Sequence, residues 1–263
     1  MIIIGEKLNS SIPKTLEALN NRDEAFVLDI AKRQLDGYAQ HLDVNAAMCG
    51  DEVGTLKWVV ETVSANMPCS FMIDSPNPQV IAEVYGSMKL DDSIVNSITL
   101  EDERFDALLP VVQQFGTGIV AMPIDAEGMP YDWQSRVEKA SRLVDRLTEN
   151  GIGHERIYVD IVVEAAGAAW EGPGHALRAA NELRQKYPDI HLLAGLSNVS
   201  FGLPGRAAIN RAFLCMCMAN GVDSAIMDAA NTEMVMTAKA ADAMQGNDEF
   251  CMNYITAFRK LNG

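Results

Sequence analysis

Short apolar segments alternate with longer amphipathic ones from one end of the chain to the other. The pattern predicts strands at about 1–5 (MIIIG), 40–45 (QHLDVN), 69–74 (CSFMID) and 92–97 (DSIVNS). Four more fall at about 118–124 (GIVAMPI), 156–162 (RIYVDIV), 191–197 (HLLAGLS) and 223–228 (DSAIMD). Between them, segments such as TLKWVVETVSANM, ERFDALLPVVQQF and HALRAANELRQKY carry apolar residues mostly three or four apart, the spacing of one helical face. Eight strands, each followed by a helix, pair in parallel through right-handed crossovers. Eight such units in 263 residues match the size of an α/β (β/α)8 TIM barrel, so one domain over 1–263 is expected. A doubly wound open sheet is the alternative, but it asks for a glycine-rich first turn where the chain reads GEKLNSS.

Composition changes this picture little. Apolar residues at 48% and charged residues at 22% suit a soluble domain with a large core. No apolar run reaches membrane-spanning length, and MIIIGEKLNSSIP lacks the pattern of a signal peptide. The five cysteines are odd in number and scattered, which gives no disulfide framework and fits a cytoplasmic location. A net charge of −15 argues against binding a phosphate backbone, so neither nucleic acid nor membrane is an expected partner.

Active sites of such barrels lie at the C-terminal ends of the strands. Those ends carry Glu6 and Asn9 after the first strand, Asp43 and Asn45 at the second, Asp74 at the third and Asn96 at the fourth. Asp125 follows the fifth, Asp160 lies near the end of the sixth, Ser197 and Asn198 end the seventh, and Asp228 ends the eighth. Asp and Asn also cap helices and start turns, and any one of these positions has that ordinary explanation. A carboxylate or amide at every strand end is less ordinary, because both residues are depleted within strands. Asn96 and Asp160 sit inside apolar segments, where an unpartnered polar group costs about 1–3 kcal/mol.

The set mixes donors and acceptors and contains no cluster of cations. The loops after the last two strands, SNVSFGLPGR and DAANTEM, are poor phosphate cradles. The four histidines are isolated, and Cys215 and Cys217 lie two apart on a predicted helix, so no metal site is expected. No G-x-S-x-G elbow is present for acyl transfer. A neutral heterocycle rich in hydrogen-bonding groups fits best: carboxylates accept from its amino and ring N–H groups, and amides serve its carbonyl and ring nitrogens.

In this order, GEKLN, LDVNAA, MIDSPNP, VNSIT, YVDIV and GLSNVS resemble the pterin-binding methyltransferases. The nearest branch is that of methyltetrahydrofolate:corrinoid protein methyltransferases, a module also found in cobalamin-dependent methionine synthase. The resemblance spans the chain and implies a (β/α)8 barrel, a homodimer, and a pterin in the barrel mouth. It implies that Asp74, Asn96 and Asp160 hydrogen-bond the pterin, with Asp43, Asn45 and Ser197 lining the same pocket. Asn198 is implied to lie nearest N5, and Asn198 and Asp74 to be the catalytic pair. Glu6, Asn9, Asp125, Arg206 and Asp228 form an outer group of candidate pocket residues. Tetrahydrofolate or its methyl derivative is the implied substrate. The corrinoid (cobalamin) is implied to sit on a separate protein, with no metal in this chain.

Two features depart from the family pattern. Phe201 and the FGLPG loop stand where relatives carry a more polar segment, and VVEAAGAAWEGPGH brings Glu164 and Trp170 of unassigned role. Flow from a methylcorrinoid to tetrahydrofolate, as in glycine betaine or aryl methyl ether demethylation, would use the same residues in reverse. A dihydropteroate synthase-like enzyme is the nearest alternative chemistry, but the cations expected after the second strand and near the seventh are missing. A non-catalytic folate-binding subunit is the alternative from another class.

Overall fold

The computed structural model describes residues 1–262, so the terminal Gly263 of the expected domain lies outside the described residues. The first half of the chain forms β1 (Ile2–Asn9), α1 (Pro13–Asn20), α2 (Glu24–Asp36), β2 (His41–Asn45) and α3 (Glu52–Asn66). It continues through β3 (Ser70–Asp74), α4 (Pro78–Ser87), β4 (Ile94–Ile98), α5 (Asp102–Phe115) and β5 (Gly118–Ala121). The second half adds α6 (Trp133–Glu149), β6 (Ile157–Asp160), α7 (Gly172–Lys186), β7 (His191–Gly195), α8 (Arg206–Ala219) and β8 (Ser224–Met227). Helices α9 (Thr232–Met244) and α10 (Met252–Asn262) close the described chain. The strands run in parallel in sequence order, and β1 pairs with β8 to close the barrel. The expected (β/α)8 architecture and single domain are therefore observed.

Alternation along each strand sets two environments. Ile3, Leu42, Val44, Phe71, Ile73, Val95, Ile119 and Val159 face outward, where the helices cover them in one continuous apolar layer. Their neighbours face inward, and Ile4, Met72, Ile94, Val120, Tyr158 and Leu193 pack together as a separate cluster inside the barrel. Two residues further along the strands, the inward positions become polar: Glu6, Asp74, Asn96 and Asp160 follow Ile4, Met72, Ile94 and Tyr158. The barrel thus has an apolar floor and a polar mouth.

Helix starts use the chemistry that the sequence offers. Asp23, Asp51, Asn77 and Asn231 each accept from a backbone N–H in the first turn of the following helix. Asp132 and Ser135 form a reciprocal capping box on α6. Gly116 ends α5 in the left-handed conformation (φ 68°), which glycine adopts without steric cost.

Several boundaries differ from the expected ones: the fifth strand ends at Ala121 rather than at 124 and the sixth at Asp160 rather than at 162, and two further differences bear on the site. The first strand continues to Asn9 and resumes pairing after a register shift between Gly5 and Leu8, so Glu6 lies within the strand rather than after it. The seventh strand stops at Gly195, and Ser197 and Asn198 lie in a separate 3-10 turn, Leu196–Ser200. The apolar run hid that stop, because Leu196 remains fully buried after the backbone has left the sheet.

Candidate active site

Register brings three polar strand ends side by side: Asn45 pairs with Asp74, and Asp74 with Asn96. Asn45 Nδ2 donates to Asp74 Oδ2 at 2.9 Å, while its Oδ1 accepts from Ser10 Oγ at 2.9 Å and from the Ala47 N–H at 3.1 Å. These bonds leave Asn45 little freedom, so it holds Asp74 at a fixed angle to the mouth. Asp43 lies one inward position deeper and is 3% exposed, and its Oδ1 has no hydrogen-bond partner. Burial pushes its pKa well above the ordinary value. The Asp74 and Glu6 charges add to that rise, and a hydrogen bond with Asn96 opposes it. Burial raises the Asp74 pKa as well, against the Asn45 hydrogen bond and the Arg104 charge. A carboxylate leaving water for a low-dielectric site loses solvation, which favours the protonated form. The cluster therefore combines a carboxyl poised to keep its proton with one held by fixed donors.

Asp160 completes this arc from the end of β6. Its Oδ1 accepts from the Val162 N–H at 2.7 Å, and burial raises its pKa to about 6. Val162 takes a left-handed φ of 55°, a strained conformation for a β-branched residue. The turn after β7 is half-buried at Ser197 and exposed at Asn198. A Cβ on Gly195 would fall 3.0 Å from Asn198 Nδ2, so glycine is what leaves the amide its room. Arg206 staples this turn, donating from Nε to Ser200 Oγ at 2.9 Å and from Nη2 to the Ser197 carbonyl at 2.8 Å.

The remaining candidates have other local duties. Glu6 and Asp228 flank Lys7, each 3.2 Å from its Nζ, and Asp228 also accepts from Gln34 Nε2 at 2.8 Å. Burial lowers the Lys7 pKa, but the two carboxylates outweigh it and the net shift is upward. Asn9 turns back on the Ser11 N–H at 2.9 Å. Asp125 does not join the mouth cluster: Lys139 at 2.6 Å and Arg142 at 3.4 Å enclose its carboxylate, and the Lys139 hydrogen bond holds its pKa low. Glu164 is the ion-pair partner of Arg136, which is 1% exposed. Trp170 and Phe201 stand exposed on the loops after β6 and β7.

Sequence reasoning passed over Lys7 and Arg104. Lys7 enters the mouth through the irregular pairing of β1, which no strand periodicity encodes. Arg104 projects from the first turn of α5, where a charged residue reads as ordinary surface. A cavity of about 820 Å³ opens beside Met1, Arg184, Asp223 and Asp242, and these four groups pair with one another. The Met1 amino group pairs with Asp242 and Arg184 with Asp223.

A parallel (β/α)8 barrel with carboxylates and amides gathered at the C-terminal strand ends defines a class of enzymes that hold a ligand in the barrel mouth. The family model described as "Pterin binding enzyme" matches residues 5–228, and the chain belongs to that family. It is 36% identical over 263 residues to the methylcorrinoid:tetrahydrofolate methyltransferase of Eubacterium limosum, covering 99% of this chain and 97% of that protein. It is 32% identical over 244 residues to methionine synthase of Mycobacterium tuberculosis, covering 87% of this chain and 20% of the larger protein. Among solved structures, dihydropteroate synthase from Clostridium difficile superposes with a TM-score of 0.73 at 21% identity, over 93% of this chain and 96% of that one. The Coxiella burnetii dihydropteroate synthase superposes at 0.67 and 17% identity, over 94% of both chains. At these identities the two structures speak for the fold alone.

Proposed function

We propose that the protein is a methyltransferase that moves a methyl group between a methylcorrinoid carried by a separate protein and N5 of tetrahydrofolate. The observation that carries this reading is the fully buried Asp43 Oδ1 without a partner, in an arc with Asp74, Asn96 and Asp160. Such an arc suits the ring N–H, amino and carbonyl groups of a pterin. An unpartnered buried oxygen costs about 1–3 kcal/mol, and a bound heterocycle or a water beneath it would satisfy it. The name of the Eubacterium limosum relative supports methylcorrinoid as donor, and in this reading a demethylation reaction supplies the methyl group.

The corrinoid acts as a substrate here, its cobalt exchanging between the methylated Co(III) and nucleophilic Co(I) states. In the direction of cobalt methylation, the N5–CH3 bond breaks, the Co–CH3 bond forms, and the bonding pair remains on N5, which takes up one proton to give tetrahydrofolate. In this reading Asn198, on its exposed turn, donates to N5. A hydrogen bond that strengthens as N5 gains electron density stabilises the transition state more than the ground state. Asp43, Asn45, Asp74, Asn96 and Asp160 hold the ring, and Asp74 is the carboxylate through which a water would carry proton equivalents. Ser197 and Arg206 shape the Asn198 turn, and Lys7 balances Glu6 and Asp228. We further propose a homodimer working in the cytoplasm with a corrinoid protein as partner. No described helix is long and apolar enough to cross a membrane.

A single-turnover assay decides the reading. Mixing the protein with methyltetrahydrofolate and Co(I) cobalamin should produce the methylcobalamin spectrum, and methylcobalamin with tetrahydrofolate should show the reverse. Tight folate binding with no transfer in either direction, even with a corrinoid protein, would replace it with a folate-binding subunit.

A further inference from the structure

Arg104 stands outside the ligand arc, yet it is bonded to the backbone on both sides of it. From the first turn of α5, its Nε donates to the Ser97 carbonyl at 2.6 Å. Nη2 donates to the Ser75 carbonyl at 2.9 Å, and Nη1 to the Pro76 carbonyl at 2.5 Å. Ser75 directly follows Asp74, and Ser97 directly follows Asn96. One guanidinium therefore spans the ends of two neighbouring strands, at the residues next to two of the pterin-facing side chains. A backbone bond from the Ser75 N–H to the Asn96 carbonyl at 3.2 Å ties the same two segments. Ser75 Oγ extends the connection to Glu52 at 2.6 Å.

We infer that Arg104 is a positioning residue for pterin recognition: its three-carbonyl clamp fixes the spacing and angle between the Asp74 carboxylate and the Asn96 amide. This rests on the proposed function only for the identity of the ligand. The rigid planar fork is what the task requires, because three carbonyls on two neighbouring segments must be reached by donors in fixed directions. A lysine has the charge without the fork. The Asp74 carboxylate also feels the guanidinium electrostatically, so the clamp and the acid it orients are coupled through charge as well as through the backbone. Ligand groups held from two strands lose affinity when the strands move relative to each other, since one misplaced partner leaves the other hydrogen bond poorly aligned.

The test uses the whole chain with Arg104→Met and Arg104→Lys, read by amide hydrogen exchange without ligand and by equilibrium binding of tetrahydrofolate. Faster exchange at Ser75, Asn77 and residues 97–99, with the rest of the barrel unchanged, is expected for both variants. Binding should weaken about 10- to 100-fold in Arg104→Met and about 10-fold in Arg104→Lys. The loss should be non-additive with Asp74→Asn and with Asn96→Ala, yet additive with Asp160→Asn, which sits across the mouth. A purely structural role would instead weaken all three combinations alike. Should Arg104→Met fail to fold, Arg104→Lys carries the same comparisons. Unchanged exchange at both segments, binding within twofold of wild type, or strict additivity with Asp74→Asn would overturn the inference. Absence of folate binding by the wild type would instead overturn the proposed function, and the exchange arm would still decide whether the clamp exists.

Discussion

Replacing Asp160 by Asn should stabilise the empty protein while weakening its hold on folate. Burial raises the Asp160 pKa from 3.8 to about 6. Between those two values the unfolded chain releases the proton and the folded chain keeps it, so stability falls as pH rises through that window. Above about pH 6 the whole deficit stands. At 1.36 kcal/mol per pH unit, the gap between 3.8 and about 6 amounts to a ceiling of about 3 kcal/mol. Partial solvent contact at the mouth reduces the realised value to about 1–3 kcal/mol. An asparagine oxygen still accepts the Val162 N–H, which Asp160 now takes at 2.7 Å, and carries no charge to desolvate. At about 2–4 °C per kcal/mol for a chain of this size, ligand-free Asp160→Asn should melt several degrees above wild type at pH 8. Near pH 5 the gap should shrink to about half, since only part of the window has then been crossed. Titration calorimetry should show folate affinity about 10- to 100-fold lower, the loss of a hydrogen bond to a charged acceptor. A variant melting below wild type at pH 8, or by the same margin at pH 5 and pH 8, would refute the reasoning.

Other outcomes follow from neighbouring features. Asn198→Ala should slow single-turnover methyl transfer by about one to three orders of magnitude with a smaller loss of folate affinity, read by stopped-flow spectroscopy; an unchanged rate removes Asn198 from the chemistry. Arg206→Met frees the Ser197–Ser200 turn and should slow transfer about threefold to tenfold, with folate binding unchanged within about twofold by calorimetry. Wild-type folate affinity should fall as pH drops below about 6, where Asp160 gains the proton that competes with the ligand's donors, and a flat profile from pH 8 to pH 5 would contradict that assignment. Glu164→Ala strands the Arg136 charge and should cost about 2–4 kcal/mol by urea denaturation, whereas Glu164→Gln should cost less.

How far the sequence reveals this molecule depends on the range of the interactions involved. Strands such as SFMID and IYVD are legible because short apolar runs between helical periods have few other solutions. Asp74, Asn96 and Asp160 stand out because strands normally exclude them. The end of β7 was hidden, since Leu196 is buried by the helix layer whether or not it belongs to the sheet. Glu6 reads as lying beyond the first strand because the irregular pairing of β1 with β2 depends on both strands at once. Asp125 looks like its counterparts at other strand ends, but Lys139 and Arg142, about two turns or more into α6, claim it. Arg104 was invisible for a similar reason: its partners are carbonyls, which every residue has, 7 to 29 positions away.

The change from apolar floor to polar mouth divides β1, β3, β4 and β6 between two kinds of tolerance. At Ile4, Met72 and Ile94, substitution should be governed by volume, so that one aliphatic residue substitutes for another with modest loss. Two positions further along, volume is a poor guide, and an isosteric exchange such as Asp for Asn changes charge, proton count and donor inventory together. A saturation-mutagenesis map of the chain should accordingly show a sharp level crossing these four strands at one height. Below it the rank order of amino acids would follow size; above it, hydrogen-bonding pattern. Because that level cuts across the strands, a new ligand preference can be selected above it while the packing that closes the barrel is left alone.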